Sequence, residues 1–328
     1  MAAAAIGIGM KLGVCLQVFY DRSLEEALAS AARLGFEAVE LAVDARSPFV
    51  DLDEALGGGW RRIRKLLDDH GLALSALSNH QEGQLLLGPH GPDTDRIFRG
   101  SPAEKSARAR RRLTETARLA EMLEVETVIA FTGCEDYSRW FPWPDPGGYE
   151  AMGPAFREAM LPILDDFARH KVRFAAECHP RQFAYNLETA ELALALLEKH
   201  PAFGFNLDPA NLVLAGMDPV MFAVEMKQRL WHVHAKDAEL VKHAAARSGL
   251  LAHGRWDRPG RGFRFRVPGW GDLDWRRLIT ELHVGGFTGV LAVEHEDPTM
   301  SREEGLVQAR NHLAPLLLHQ PPSGERWW

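Results

Sequence analysis

The chain has 328 residues, of which 46% are hydrophobic and 25% are charged, and its formal net charge at pH 7 is −7. This composition is typical of a folded globular protein with a sizeable core, and the acidic balance argues against nucleic acid as the partner, because DNA binding requires a basic surface. The three cysteines, Cys15, Cys134 and Cys178, include no CxxC pair, which argues against a disulfide framework and favours a reducing cytoplasm.

Individual segments of the sequence also argue against a nucleic-acid or membrane partner. A helical segment carries a basic cluster that predicts a solvated helix face rather than a nucleic-acid surface, formed by Arg108, Arg110, Arg111 and Arg112. No stretch approaches the roughly 18 apolar residues of a membrane span, so we expect no membrane partner. Residues 1–10 predict a flexible leader without an export signal and residues 319–328 a loose tail, which leaves 11–318 for one folded domain. A homo-oligomer is compatible with all of this.

Short apolar runs alternate with longer helical patterns along the whole of this domain. The runs that predict strands are residues 11–19, 38–43, 72–78, 127–133, 172–177, 203–208, 230–237 and 289–297. A helical pattern follows each of them, and the first has Ser23 as its N-cap and Gly35 at its end. Such alternation means parallel strands joined by right-handed crossovers. Eight units in this length predict a protein of the α/β class, a single (β/α)8 TIM barrel.

An open, doubly wound sheet is the alternative fold. It is disfavoured because no phosphate-binding GxGxxG or GxxxxGK[ST] motif follows the first strand. Three long loops, residues 79–103, 132–148 and 236–271, each follow a predicted strand. In a barrel they would lie on the C-terminal face, where active sites are built.

Polar residues recur where the last four predicted strands end. They are Glu177 and His179 after the fifth strand, Asp208 after the sixth, His232, His234 and Asp237 in and after the seventh, and Glu294, His295 and Glu296 after the eighth. One such residue would be an ordinary solvated strand end, but several carboxylates are unstable when buried together unless a cation compensates them. Carboxylates with an imidazole suit Mn²⁺, Mg²⁺ or Co²⁺, with zinc or iron as alternatives. The sequence therefore predicts one divalent metal.

Strand alternation selects among these residues. His232 and His234 have the same parity and point to one face, and His234 is the predicted ligand because it lies nearer the C-terminal end. His232 is left as a partner of a ligand or as a packed interior residue. Glu294, the last residue of its apolar run, is favoured over Glu296, which is left to orient a ligand or to bind substrate. His295 has the opposite parity and is expected to be structural.

Several segments resemble the sugar phosphate isomerase/epimerase group of the xylose isomerase-like barrel superfamily. They are AAECHPRQFAYN, FNLDPANLVLAGMDP, WHVHAKDAEL and GGFTGVLAVEHEDP, with LSALSNH and FTGCEDYSRWFPWP similar to the third and fourth strand ends. The resemblance covers most of residues 11–317, and its motifs are specific together rather than singly. In the ketose epimerases of this superfamily a Glu, an Asp, a His and a second Glu bind one metal, and the two Glu also transfer protons. The resemblance places these roles on Glu177, Asp208, His234 and Glu294.

The substrate side departs from the pattern of that group. The group commonly has a His three residues after the strand-six Asp, where this chain has Asn211. An asparagine hydrogen-bonds a hydroxyl but is neither an acid nor a base near neutral pH, so the substrate preference of the group does not transfer directly. The other predicted substrate-binding residues are His80, His179, Asp237, Glu296 and Trp143. For Trp143 the alternative is loop packing, and Lys236 either meets an anionic group or is a surface charge.

These residues predict a metal-dependent enzyme that isomerises or epimerises a keto sugar or a related polyol through an enediolate. A lyase or dehydratase of a 3-keto sugar, keto-glycoside or inosose is the first alternative, because it begins with the same proton removal and then expels a β-substituent. A nuclease similar to abasic-site endonucleases would need more metal ligands and a basic groove, which the net acidity disfavours. A metal-free barrel without enzymatic activity is the remaining alternative.

Overall fold

The computed structural model describes residues 9–144 and 148–320. Most of the predicted leader and tail lies outside these residues. The strands, numbered along the chain, are β1 (Lys11–Cys15), β2 (Ala38–Ala42), β3 (Ala73–Asn79), β4 (Thr127–Ala130), β5 (Arg173–Glu177), β6 (Phe203–Leu207), β7 (Leu230–Ala235), β8 (Asp237–Leu240), β9 (Phe263–Arg266) and β10 (Val290–Val293). Within the described chain, eight of them close into a barrel in the order β1-β10-β7-β6-β5-β4-β3-β2, and every neighbouring pair is parallel. The predicted (β/α)8 barrel is confirmed.

Helices follow the barrel strands as the alternation predicted. They are α1 (Leu24–Arg33), α2 (Leu52–Glu54), α3 (Trp60–His70), α4 (His80–Gln84), α5 (Pro92–Asp95), α6 (Pro102–Met122), α7 (Gly153–Arg169), α8 (Leu187–Leu196), α9 (Pro209–Leu214), α10 (Pro219–Glu225), α11 (Lys242–Ser248), α12 (Trp275–Val284) and α13 (Arg302–Leu313). Ser23 caps α1 as predicted, and its hydroxyl accepts a hydrogen bond from the Glu26 amide. None of the helices in the described residues combines the length and the apolar character that a membrane crossing requires.

Several predicted strands extend too far at their C-terminal ends. The first predicted strand runs to residue 19, but β1 ends at Cys15 and a 3-10 turn follows with Leu16 and Phe19 buried. Apolar periodicity did not separate strand from loop here, because this loop packs against the core. The predicted loop 236–271 also contains a two-stranded antiparallel sheet, formed by β8 and β9. Its strands have only four residues each, too short for a clear pattern.

The main hydrophobic core lies between the barrel strands and the surrounding helices. Val128 and Phe203 from the strands and Leu113 and Phe156 from the helices all belong to it, with at most 1% of their surface exposed. Burial of this apolar surface is the main force that holds helices to barrel. The core therefore fixes the C-terminal ends of the strands, from which the site is built.

The basic cluster on α6 is only partly solvated, so the predicted solvated face is wrong for Arg108 and Arg112. Arg112 is 9% exposed and Arg108 is half-buried. Both approach the fully buried carboxylate of Glu82. The nitrogen–oxygen distance is 3.8 Å for Arg112 and 3.3 Å for Arg108. Glu82 also accepts a hydrogen bond from the Ala45 amide at 3.1 Å. This buried charge cluster ties the loop after β2 and helix α4 to α6.

Asp237, at the start of β8, connects the loop after β7 to the barrel through hydrogen bonds. It is fully buried and accepts hydrogen bonds from the Trp275 indole at 2.8 Å and from the amides of Ala238, Gly269 and Leu273 at 2.8, 3.1 and 3.2 Å. A carboxylate that satisfies this many buried donors is a structural anchor. This structural role differs from the contact with substrate that the sequence predicted for Asp237.

Replacing Asp237 with Ala tests this anchor. We expect Asp237→Ala to lower the free energy of unfolding by roughly 3 kcal/mol, because buried donors lose their acceptor. Asp272→Ala is the matched control, since Asp272 is exposed and caps a single amide, that of Leu240. Urea denaturation of both variants measures the difference. Equal losses in the two variants would show that Asp237 is not the anchor.

Candidate active site

The loops after the barrel strands enclose a cavity of about 290 Å³. Its walls combine side chains from opposite sides of the barrel. Gln17 and Tyr20 follow β1, Asp44 and Arg46 follow β2, and Phe131 follows β4. The remainder of the lining consists of His80, Gln81, Glu177, His179, Lys236, Glu294 and Glu296. The cavity therefore lies on the face that the long loops predicted.

The four predicted metal ligands converge beneath this cavity. The ligand atoms of Glu177, Asp208 and His234 all lie within 4.8 Å of one another. His234 Nδ1 is 3.2 Å from Glu177 Oε2 and 3.4 Å from Glu294 Oε2. Asp208 and His234 are at most 1% exposed, and Glu177 is 4% exposed. The arrangement is a compact set of three carboxylates and one imidazole, in which only Glu294 is partly exposed, with 15% of its side chain accessible.

His234 Nδ1 shows that this set fits a cation. The atom is buried and has no hydrogen-bond partner among the described residues, although two carboxylates face it. Burial alone lowers the pKa of His234, but the negative charges of Glu40, Glu294 and Glu177 raise it well above its usual value. The carboxylates thus favour a positive charge at this position, either a proton or a metal. Carboxylate oxygens with one imidazole nitrogen form a donor set for a divalent ion.

Lys236 supplies a positive charge beside the set. Its side chain is 5% exposed, and Nζ lies 3.1 Å from Asp208 Oδ2 and 2.9 Å from both Glu294 Oε2 and Glu296 Oε2. Burial lowers the pKa of Lys236, but the carboxylates around it raise the pKa well above its usual value. Lys236 is therefore a buried ammonium at the edge of the cavity rather than the surface charge that the sequence left open.

Asp208 and Asn211 form a second hydrogen-bonded unit at the start of α9. Asp208 Oδ1 accepts from the amides of Ala210 and Asn211 as the N-cap of this helix. Asn211 Nδ2 donates to Asp208 Oδ2 at 2.7 Å and to Glu177 Oε1 at 3.1 Å. Burial raises the pKa of Asp208 to about 7, although Lys236 opposes the shift. Asn211 therefore contacts the candidate ligands and does not border the cavity, which differs from its predicted contact with substrate.

His80 and His179 do border the cavity, as predicted for substrate-binding residues. His80 Nε2 donates to Glu177 Oε2 at 3.1 Å, and its ring contacts Phe131. Helix α4 approaches the end of β4 closely because Gly83 lacks a side chain: a Cβ there would lie 2.2 Å from the Phe131 carbonyl oxygen. Glu296 also borders the cavity, with 40% of its side chain exposed.

Trp143 does not join the site. It is 86% exposed and borders a separate cavity of about 120 Å³ together with Arg139 and Phe141. Trp143 is not part of the central cavity, which differs from its predicted contact with substrate. Phe131, which follows β4, lines the central cavity instead, as does Tyr20.

Sequence reasoning missed Glu40 and Asp44. Glu40 is 1% exposed and lies 2.8 Å from His234 Nε2, and Asp44 is 6% exposed and borders the cavity. A signal for Glu40 was present, because it is the one charged residue inside the apolar run AVELAV. Asp44 follows that run, two residues after the end of β2, whereas Asp208 directly follows β6.

The comparison with protein families agrees with this fold. The xylose isomerase-like TIM barrel family matches residues 28–316. The chain belongs to that family.

Similar proteins include enzymes of more than one reaction type. The uncharacterized protein YfiH of Bacillus subtilis strain 168 is 26% identical over 323 residues, covering 90% of this chain and 96% of that protein. Inosose dehydratase of Clostridium perfringens is 31% identical over 108 residues, which is 32% of this chain and 35% of that enzyme.

Two solved structures show the same fold at low sequence identity. The 3-keto-D-glucoside 4-epimerase YcjR of E. coli superposes with a TM-score of 0.65 at 14% identity, covering 92% of this chain and 99% of that one. The IOLI protein, solved with a bound zinc atom, gives a TM-score of 0.65 at 17% identity, with 94% and 98% covered. The named similar proteins thus include both an epimerase and a dehydratase.

The pairing of Lys236 with the carboxylates predicts a metal-linked change in stability. In metal-free protein, Lys236→Met should lower the free energy of unfolding by about 3 kcal/mol, the loss typical of a buried ion pair that loses one partner. Added Mn²⁺ should recover more stability in this variant than it adds to the wild type, because the ion replaces the missing positive charge. Urea denaturation with a chelator or with Mn²⁺ measures both effects.

Lys242→Met is the control for this experiment, since Lys242 is exposed on α11. Its effect should stay within about 0.5 kcal/mol. A Lys236→Met protein as stable as the wild type without metal would contradict the role of the ammonium.

Proposed function

We propose that the chain is a divalent-metal-dependent isomerase or epimerase that acts on a keto sugar or a related polyol through an enediolate. The observation that carries the proposal is the convergence of Glu177, Asp208, His234 and Glu294 beneath one cavity. Two of these residues, Glu177 and Glu294, also border the cavity. Their position on the lining supports contact with both a metal and a substrate.

The metal would be held by the three carboxylates and by His234 Nδ1. When bound there, a divalent ion polarises a substrate carbonyl and acidifies the adjacent C–H bond. The oxygen-rich donor set favours Mn²⁺, Mg²⁺ or Co²⁺, and zinc or iron are the alternatives. Zinc gains support from the zinc atom in the IOLI structure.

Glu177 and Glu294 serve as the proton-transfer pair. Glu177 ends β5 and Glu294 follows β10, and both border the cavity, so a substrate bound there can meet both carboxylates. One glutamate, as the carboxylate, removes the proton next to the carbonyl, and the other, which enters the step as the carboxylic acid, donates a proton to the same carbon or its neighbour. Exchange with solvent then restores the two protonation states. His80 holds Glu177 through the 3.1 Å hydrogen bond, and Lys236 holds Glu294 at 2.9 Å. Both bases are thereby oriented before substrate binds.

The second candidate is a lyase or dehydratase of a 3-keto sugar, keto-glycoside or inosose. The local similarity to inosose dehydratase favours it. It uses the same first proton removal, after which the enediolate expels a β-substituent instead of regaining a proton. The two reactions differ in their products, because elimination of a hydroxyl forms an α,β-unsaturated ketone and water.

The lining of the cavity and the state of the cysteines agree with the proposal. The substrate is a small, polar molecule, since the cavity of about 290 Å³ is lined mainly by charged and polar side chains. All three cysteines are free and buried, which fits the reducing conditions of a cytoplasm.

Replacing each proton-transfer residue with Gln tests the proposed mechanism. Glu177→Gln and Glu294→Gln should each reduce turnover by ~10² to 10⁴-fold, because the amide keeps the shape but is not a base. The substrates are a panel of free ketohexoses, ketohexose phosphates and inososes. For isomerisation or epimerisation the readout is deuterium incorporated from D₂O next to the carbonyl, followed by NMR. For elimination the readout is loss of that proton together with the ultraviolet absorbance of an unsaturated ketone.

The control is Glu188→Gln, an exposed glutamate on α8, which should retain wild-type turnover. Metal content of every variant is measured by elemental analysis. The paired-base mechanism is wrong if both Gln variants keep near wild-type turnover with metal bound. An isomerised or epimerised product that carries no solvent deuterium at any time would indicate a hydride shift instead.

A further inference from the structure

His234 belongs to two groups of metal-binding residue types. On the cavity side its Nδ1 faces Glu177 and Glu294, and on the opposite side its Nε2 lies 2.8 Å from Glu40 Oε2. Cys15, Glu40 and His234 place their donor atoms within 4.8 Å of one another, as do Glu177, Asp208 and His234. A neutral imidazole carries a proton on one nitrogen and can bind a metal only through the other, so the two groups are rival positions for the ion.

Access separates the two positions. Cys15 is 2% exposed and Glu40 is 1% exposed, and neither borders the central cavity. Glu177 and Glu294 do border it. A metal between Cys15 and Glu40 would therefore be closed off from substrate by His234 itself. Only the position at Nδ1 lets one ion contact both protein and substrate.

The hydrogen bonds around His234 favour the same side. An ionised carboxylate only accepts hydrogen bonds, so the 2.8 Å contact with Glu40 requires the ring proton on Nε2. The lone pair of the neutral ring then lies on Nδ1, the atom that has no hydrogen-bond partner in the described chain. His232 does not compete for Glu40, because its own nitrogens contact Asn206 Oδ1 at 3.1 Å and Ser75 Oγ at 3.2 Å.

We infer that Glu40 is a positioning residue that prepares His234 to bind the metal through Nδ1. This inference rests on the metal site of the proposed function. Glu40 fixes which nitrogen carries the proton, holds the ring in the plane that points Nδ1 at the carboxylates, and makes that nitrogen a stronger donor through its negative charge. Glu40 touches neither substrate nor metal. The carboxylate comes from β2 and the imidazole from β7, so the contact forms only when the barrel is closed.

Metal affinity is the readout that separates positioning from a merely structural role. Glu40→Gln keeps an oxygen that accepts the same hydrogen bond but removes the charge, whereas Glu40→Ala removes both. Loss of such a partner weakens metal binding by about 10 to 100-fold. We expect about 10-fold for Glu40→Gln and about 100-fold for Glu40→Ala, measured by isothermal titration of metal-free, full-length protein with Mn²⁺. Circular dichroism shows whether each variant is folded.

Two control variants complete the design. Glu37→Gln changes an exposed glutamate on the approach to the same strand and should leave Mn²⁺ affinity unchanged. Cys15→Ala removes the thiol of the rival position and should also leave it unchanged. Co²⁺-loaded wild type should show no thiolate-to-metal charge-transfer absorption, because no sulfur binds the ion in the inferred arrangement.

The outcomes are distinguishable. A severe loss of affinity in Cys15→Ala, or a thiolate band in the Co²⁺ protein, places the ion in the rival group and overturns the inference. Normal Mn²⁺ affinity in both Glu40 variants also overturns it, while leaving the proposed function intact. A wild-type protein that binds no divalent ion overturns the proposed function itself, and the inference with it.

Discussion

The concentration of buried carboxylates at the end of the barrel is the constraint on which the rest of the site depends. Glu177, Asp208 and Glu294 surround one imidazole at distances that ionised groups tolerate only when positive charge lies among them. The chain supplies part of this charge through Lys236, which contacts two of the three. Neutral donors from Asn206 and Asn211 hydrogen-bond the carboxylate oxygens without adding charge. A divalent ion is the compensation that such a donor set implies.

One side of the closed barrel supplies the candidate ligands, and the other side supplies residues that orient them. Strands β5, β6, β7 and β10 are consecutive neighbours in the closed barrel, so their C-terminal ends place the candidate ligands side by side. The opposite wall, β2 and β3, contributes residues that orient them: Glu40 contacts His234, and His80 contacts Glu177. Loops on both walls are fixed by buried charge, through Glu82 on one side and Asp237 on the other. The ligands are therefore positioned by contacts that no single strand provides.

The sequence predicted the barrel and the convergence of the four candidate ligands, because both follow from local patterns. Strand alternation and polar strand ends are readable along the chain, and the ligand role of those residues stays a prediction. The role of Asp237 was not readable, since its partners lie up to 38 residues away and include the Trp275 indole. Trp143 was misplaced because apolar composition does not tell which way a loop turns. The role of Glu40 could not be read from the sequence, because it depends on a contact between Glu40 of β2 and His234 of β7 that forms only in the closed barrel.

Crystallography of the Mn²⁺-loaded protein tests the central claim most directly. Anomalous diffraction at the manganese absorption edge locates the ion without assumptions about its ligands. The account predicts one anomalous peak per chain, bounded by Glu177, Asp208, Glu294 and the Nδ1 atom of His234 and open to the cavity. A peak between Cys15, Glu40 and the Nε2 atom of His234, or no peak at the end of the barrel, would contradict it.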